Sequence, residues 1–500
     1  DFRFIEQLNV TNSSKNTFTS LSLINAATDK LVLSTPQIYA NVQDEISPLL
    51  QLFIKHTKAG ENIKREISSV NLLETVEHIG NKRSLISNIG KIEHLLAQEE
   101  EKVENDKRNF WSSLFRILVK ESSDFQSLIH NLDQDIAPVA LAADTVKEVY
   151  SDEIYASVSS FERFYNCEYQ YFLEKTLNLE IFENIDLNSK VVGNFFHEVF
   201  EKLLLSPSLT SENFDQHLER VLQEVDNNYA RYFTQDATAQ FTWVNLGEIV
   251  KQTAVILKKG LENSQIKTLA TESAFGFPHS ELGEFTIDKI SLRGRIDRID
   301  QFFENSVGAV DYKSSQHKFD LVSAYDGTSL QFLTYLDVLK QTAENQKLWG
   351  ALYLQLKNES INLSDVNYLG EIAALLSKNM RYEGLILEEY RDKISEEINL
   401  VNINRNNVYG EREFESLLEL NKKHYIRAGQ RIRAGEIAIN PVMTKEGIDK
   451  TGNVHGCRYC PLKSICRFEA NRHMKDYTRE VGQKSRKEIL DELKGEKAND

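Results

Sequence analysis

The segment from Phe275 to Ser315, FGFPHSELGEFTIDKISLRGRIDRIDQFFENSVGAVDYKSS, constrains the fold more than any other part of the chain. Its alternation, with turn residues such as Glu304-Asn305-Ser306, predicts successive strands. Two of these strands carry charge. RGRIDRID holds Asp297 and Asp300, and AVDYKSS holds Asp311 and Lys313 behind Val307, Ala309 and Val310. Charges at the end of a buried strand need a reason, because an unpaired buried ion is strongly disfavoured.

Residues two apart on a strand share a face, so Asp311 and Lys313 project together while Tyr312 points the other way. Asp297 and Asp300, three apart, face opposite sides, and only one of them can join the pair. The short hairpin between the strands predicts antiparallel neighbours, which brings one of these aspartates within ligand distance of Asp311. Such a set suits phosphodiester hydrolysis. A carboxylate holds a divalent cation on the scissile phosphate, and the adjacent ammonium orients or deprotonates the attacking water and offsets developing charge. A salt-bridged surface pair is the other reading of an Asp-x-Lys spacing.

At 500 residues the chain predicts two to four domains, and its 41% hydrophobic content is ample for globular cores. Residues 1–150 read as mostly helical, opening with the strand-like LSLINAATDKLVLSTP and continuing with PLLQLFIKHTK and KIEHLLAQEEEKVENDKRNFWSSLFRILVKE. From Tyr155 the pattern changes. Serines precede an aromatic-rich run in SVSSFERFYNCEYQYFLEKTL, predicting an N-capped helix, and VVGNFFHEVFEKLLL predicts a second, amphipathic one. Further helices precede the strands, LQFLTYLDVL reads as a helix after them, WGALYLQL as another strand, and helices dominate the remainder. The expected domains are 1–150, 151–480 and a charged tail, 481–500.

No apolar run approaches the roughly 20 residues needed to cross a bilayer, and DFRFIEQLNV lacks a signal-peptide pattern, so no membrane association and a cytoplasmic location are expected. The chain begins at Asp1, as a fragment of something longer would. A net charge of -16 argues against a protein that coats nucleic acid by bulk attraction. Between Asn421 and Leu490, however, 16 Lys and Arg stand against 7 acids. That excess fits either a nucleic-acid surface or a solvated helical face.

All four cysteines flank the strand region: Cys167 in FYNCEYQYF, then Cys457, Cys460 and Cys466 in GCRYCPLKSIC. A C-x2-C-x5-C cluster in a chain so poor in cysteine points to a metal site, since disulfides are rare in the cytosol. Four thiolates suit zinc, although zinc sites usually draw on two local pairs.

GRIDRID, then DYKS, then a helix with Q-x-x-x-Y resembles the RecB-type branch of the PD-(D/E)xK nuclease superfamily. The resemblance implies an α/β fold with a central mixed sheet flanked by helices. It also implies an active site of His197 (from GNFFHEVF), Asp297, Asp311 and Lys313, choosing Asp297 over Asp300. On that basis His197, Asp297, Asp311 and the Tyr312 carbonyl would hold Mg²⁺ or Mn²⁺. Gln331 and Tyr335, four apart on one helix face, would line the catalytic groove. Glu272 in TESAFGF matches a family position without an assigned role. The one-plus-three cysteines resemble the iron-sulfur variant of the same family, in which a [4Fe-4S] cluster closes the domain.

The nuclease core, its flanking helices, WGALYLQL and AGEIAINP together resemble the AddB/RexB family, whose members are subunits of ATP-dependent helicase-nucleases. INAATDKLVLST resembles the last motif of superfamily 1 helicases, with Ala26 where an arginine would touch ATP. No Walker A lysine motif occurs either, so ATP binding is not expected of this segment. The resemblance implies an inactivated helicase-like remnant before the nuclease and pairing with an AddA (RexA) helicase-nuclease subunit. It further implies action on double-stranded DNA ends and single strands, cutting of the strand running 5′ to 3′, recognition of a Chi-like sequence and a role in recombinational repair. Two competing expectations are a non-catalytic DNA-binding or scaffold subunit with a structural metal cluster, and a zinc-stapled nuclease acting alone.

Overall fold

The computed structural model describes residues 105–121, 140–179, 189–204, 213–234, 237–262, 266–302, 305–313, 317–343, 346–355, 382–397 and 407–496, with isolated positions between 19 and 136. The chain divides into two compact units, Asp1–Ile129 and His130–Asp500. In the first, a helix over Asn105–Glu121 buries Trp111 and Phe115, and Ile38–Tyr39 pairs antiparallel with Val42–Gln43. Most of the helicase-like motif and the earlier helical patterns lie outside the described residues. Within the strand-like piece expected at 21–36, Ser22 and Asn25 are helical, and the Ala26 amide donates to the Ser22 carbonyl at 3.0 Å.

The second unit is built in chain order from β1 (Ile154–Ser157), α1 (Val158–Asn166), α2 (Ser189–Leu204), α3 (Phe214–Phe233), α4 (Ala237–Glu262), β2 (Lys267–Phe275), β3 (Thr286–Ile287), β4 (Ile290–Gln301) and β5 (Ser306–Lys313). There follow α5 (Gln331–Thr342), β6 (Lys347–Gln355), β7 (Tyr382–Leu387), β8 (Val408–Tyr409), α6 (Glu411–Arg433), β9 (Val442–Met443), β10 (Arg479–Glu480) and α7 (Arg486–Glu496). Eight strands form one mixed sheet in the order β8-β7-β6-β5-β4-β1, with β2 and β3 also on β4. The hairpin expected between β4 and β5 is present: Arg298 pairs with Val310 and Gln301 with Val307, and Asn305 in the turn takes a left-handed φ of 65°. β6 runs parallel to β5, and β7 returns antiparallel to β6. β7 interrupts what the sequence predicted as a helical stretch, because YEGLIL is too short to reveal its period.

Two cores sandwich the sheet. On one side α2 presents Phe195, Phe196, Val199, Phe200 and Leu203, all buried at helical spacing, to Val221 and Val225 of α3 and Trp243 and Val250 of α4. Each such side chain contributes about 1.5–3 kcal/mol of transfer free energy. On the other side α5 is buried all round from Phe332 to Leu339, and Phe332 stacks on Tyr353 of β6 at 3.9 Å. Asp337 is tolerated inside α5 because Asn421 of α6 donates to it at 3.0 Å, while Thr334 pairs with the Tyr425 hydroxyl at 2.7 Å.

Two local expectations need correction. Ser157 occupies the N-cap of α1, but its hydroxyl turns to those of Ser159 and Ser160 (3.0 and 2.8 Å) instead of a backbone amide. The supposed tail at 481–500 contains α7, whose Ile489, Leu490 and Leu493 are buried in the main core. Its charge hid a three-residue apolar stripe.

Candidate active site

The β4-β5 register carries Asp297 and Asp311 to neighbouring cross-strand positions. Asp297 is buried, and its Oδ2 accepts the Tyr312 amide at 2.9 Å. It also lies 3.2 Å from His197 Nδ1, which α2 brings to the strand end. Asp300 goes the other way, as strand geometry demands. It forms a fully buried ion pair with Arg298 (2.7 Å), accepts from Thr268 (3.0 Å), and Arg298 donates onward to the Tyr382 hydroxyl (3.1 Å). The Tyr312 ring packs on that side too, 5.7 Å from Phe200 between centroids. Asp297 is therefore the aspartate on the site's face, and Asp300 belongs to the structural side.

Asp311 and Lys313 meet at 2.6 Å, as residues two apart on a strand should. Gln331 closes this group. Its Nε2 donates to Asp311 Oδ1 at 2.8 Å and to the Tyr335 hydroxyl at 2.7 Å, while its Oε1 accepts from Lys313 at 3.4 Å. Gln331 and Tyr335 thus share one helix face, with Tyr335 buried beneath Gln331.

The structure adds Glu272. The β2-β4 register pairs Thr271 with Arg298 and Ser273 with Ile296, which sets Glu272 opposite Asp297. Its Oε1 is 3.8 Å from His197 Nδ1, and its backbone sits at φ 47°, a left-handed conformation costly for glutamate. Among the described residues, His197, Glu272 and Asp297 are the trio whose ligand atoms all lie within 4.8 Å of one another. The sequence expectation grouped Asp311 with His197 and Asp297. In this arrangement Asp311 stands beside the trio, its oxygens engaged by Gln331 and Lys313.

Burial and the neighbouring Asp311 carboxylate push the Asp297 carboxyl up to about 8, against the lowering pull of His197. Burial alone would lower the His197 imidazole, but Glu272, Asp297 and Asp311 outweigh it and raise it. Glu272, Asp297 and Asp311 thus crowd one partly buried spot, with His197, Lys313 and Arg295 beside them.

Sequence reading missed Glu162. This residue of α1 accepts from the backbone amides of Leu330 (2.7 Å) and Gln331 (3.2 Å) at the start of α5. Burial raises its carboxyl, opposed by those two amides. The signal available was a glutamate inside the aromatic run SSFERFY.

The four cysteines form no disulfide, and Cys167 and Cys457 are buried. α1 ends at Cys167, whose extended backbone (φ -168°) breaks it from the next helical turn. The segment after Cys167 is tied to the chain beyond α6: the Glu168 amide donates to Asn440 Oδ1 at 2.9 Å and the Tyr169 amide to the Ala438 carbonyl at 2.9 Å. Gly456 then passes so close that a Cβ there would lie 2.7 Å from the Val442 amide nitrogen and 3.0 Å from the Asn166 carbonyl oxygen. The thiols are near enough to disfavour one another's ionisation. Burial, then Cys167, Cys460 and Cys466, push Cys457 up to about 12. Burial likewise pushes Cys167 up to about 11, opposed by amides of Gln170, Asn440 and Tyr169 that hydrogen-bond its sulfur.

A family model described as the PD-(D/E)XK nuclease superfamily matches residues 155–467. The chain is 61% identical over 499 residues to an ATP-dependent helicase/deoxyribonuclease subunit of Lactococcus lactis subsp. lactis, covering 100% of this chain and 45% of that protein. It is 62% identical over 499 residues to the exonuclease/helicase subunit RexB of Lactococcus lactis subsp. cremoris, with the same coverage. Against the equivalent helicase/deoxyribonuclease subunit of Streptococcus suis, identity is 32% over 492 residues, 97% of this chain and 43% of that protein. The chain thus spans about half the length of these relatives.

Proposed function

The chain belongs to the PD-(D/E)XK nuclease superfamily, and from that premise we propose that it hydrolyses DNA phosphodiester bonds with Mg²⁺ or Mn²⁺. The observation that carries the reading is the convergence of His197, Glu272 and Asp297, with Asp311, Lys313 and Gln331 alongside. The trio, with Asp311 and the Tyr312 carbonyl, offers the mostly oxygen donors a hard divalent cation prefers. The cation, when bound, neutralises phosphate charge and lowers the pKa of water. Lys313 then orients or deprotonates the attacking water and offsets charge at the phosphate. Gln331 holds Asp311 and Lys313 in register, and Tyr335 anchors Gln331 from below.

The same reading gives the cysteines a [4Fe-4S] cluster. Amides directed at the Cys167 sulfur suit a thiolate ligand. Residues 151–480 would be the nuclease domain and the preceding part a helicase-like remnant. Since the relatives are named subunits of a helicase/deoxyribonuclease, the chain's protein would pair with a second, AddA-type subunit. It would process double-strand breaks on the strand running 5′ to 3′ for recombinational repair.

The test is end-labelled DNA incubated with the purified chain and Mg²⁺, with and without the partner. Asp311→Ala is expected to slow cutting by about 10³-fold. Equal rates for variant and parent would sink the assignment.

A further inference from the structure

Beside the cation trio lies an open cleft of about 430 Å³ between β1, the start of β4 and the loop after β2. Its lining contains Lys175, Arg293 and Arg295 and no carboxylate, in a chain of net charge -16. Two large aromatic side chains on its wall face solvent: Tyr155 is 55% exposed and Phe277 41%. The Arg293 guanidinium lies 4.7 Å from the Tyr155 ring centroid and 5.7 Å from that of Phe277. Among the described residues its Nε finds no acceptor.

These side chains are held in place. The Tyr155 hydroxyl donates to Glu153 at 2.8 Å, away from the ring faces. Gly276 has φ 76°, and a Cβ there would fall 1.8 Å from the Leu292 carbonyl oxygen, so only glycine lets the chain turn at this point and deliver Phe277. One side chain of its lining touches the candidate catalytic site. Arg295 reaches Glu272 at 3.9 Å, and Glu272 is a member of the trio. Along β4, Arg293 and Asp297 are four residues apart, ~13 Å at ~3.3 Å per residue. That span matches about four stacked nucleotides at ~3.4 Å each.

We propose that this cleft binds a single-stranded polynucleotide segment flanking the scissile phosphate, its bases against Tyr155 and Phe277 and its phosphates on Lys175, Arg293 and Arg295. The inference rests on the nuclease reading of the neighbouring site. Exposed ring faces select single strands, whose bases are free to stack, over a duplex, whose bases are not. Cations without base-edge partners make the binding tolerant of sequence.

The experiment uses the 500-residue chain, fluorescein-labelled oligothymidylate and EDTA, so that binding is read without hydrolysis. Tyr155→Ala combined with Phe277→Ala is expected to weaken binding at least ~10-fold. Tyr155→Trp with Phe277→Trp should bind like the parent. Arg293→Gln with Arg295→Gln should flatten the dependence of log affinity on log salt by about 1.4, at ~0.7 per phosphate of a single strand. Parental affinity and salt slope in both the alanine and glutamine variants would overturn the proposal. So would an equal loss on a duplex of the same length, which would make the occupant double-stranded. If the alanine pair does not fold, as judged by its melting curve, the glutamine pair decides. Cutting is assayed separately with Mg²⁺: a parent that binds oligothymidylate here but cuts neither alone nor with its partner subunit refutes the nuclease reading and leaves the cleft standing.

Discussion

Glu162 accepts the backbone amide of Gln331 at 3.2 Å, and through it fixes a side chain that touches both Asp311 and Lys313. The carboxylate does the work of an N-cap from another helix, on the first turn of a helix buried nearly all round. Glu162→Ala leaves two amides unpaired and is expected to destabilise the domain by about 1–2 kcal/mol and slow cutting about 10-fold. Glu162→Gln, which keeps an acceptor oxygen, should restore most of both. Cation affinity should stay parental, since Glu162 is not among the candidate ligands. Melting curves, turnover and a Mg²⁺ titration check the three parts, and a large loss of affinity would show that Glu162 acts on the cation instead.

Glu272 is held at φ 47° beside two other carboxylates. Asparagine adopts this backbone conformation more readily and carries no charge. Glu272→Asn is therefore expected to raise stability by about 1 kcal/mol in EDTA while weakening Mg²⁺ binding about 10-fold. Opposite signs in the two measurements are the point of the test. A variant less stable than the parent would mean the left-handed backbone is not under strain.

Cation binding should depend on pH through Asp297. Burial and the Asp311 carboxylate raise its carboxyl to about 8, so near neutral pH a proton is held where a cation would bind. The proton and the cation compete, so affinity should climb up to tenfold per pH unit below 8 and level off above it, with a proton released on binding. Calorimetry in buffers of different ionisation enthalpy would count that proton. A flat affinity between pH 6 and 8 would contradict the assignment.

Asp337 gives a stability test away from the chemistry. Burial raises its carboxyl to about 7, against Asn421 and Lys422, from an ordinary value of 3.8. The folded state therefore holds a proton that the unfolded state has lost, and stability falls as pH rises from about 4 to 7. Across that window the cost approaches about 4 kcal/mol. Asp337→Asn should flatten this part of the curve relative to the parent, and identical pH profiles would remove Asp337 from the account.

Cys167→Ala should release iron and lower stability by about 4–5 kcal/mol, the scale set by cross-linking so long a loop. Metal analysis of protein purified without oxygen, together with the melting curve, reads both effects. A variant that kept its iron and its melting temperature would show that the other three cysteines suffice.

Simple periods made part of the site legible, while the resemblance to the PD-(D/E)xK nucleases supplied His197 and the choice of Asp297 over Asp300. The two-residue strand period separated Asp311 and Lys313 from Tyr312, and Asp297 from Asp300. The four-residue helix spacing put Gln331 on Tyr335. Glu272 and Glu162 were not assignable because their roles depend on register between strands and on the packing of α1 against α5. Neither relation leaves a local pattern. The tail at 481–500 misled for the opposite reason, since abundant charge masked Ile489, Leu490 and Leu493. The helicase-like stretch lies largely outside the described residues.

The thiols of Cys167 and Cys457 are neighbours in space, yet a ribosome makes them 290 residues apart. At ~5–20 residues per second the interval is about 15–60 s. During it His197, Glu272, Asp297 and Asp311 are made in turn, and the loop that would complete the proposed metal centre comes last. On the proposed [4Fe-4S] assignment, cluster insertion would therefore follow both synthesis of the catalytic segment and release of the final cysteines from the exit tunnel.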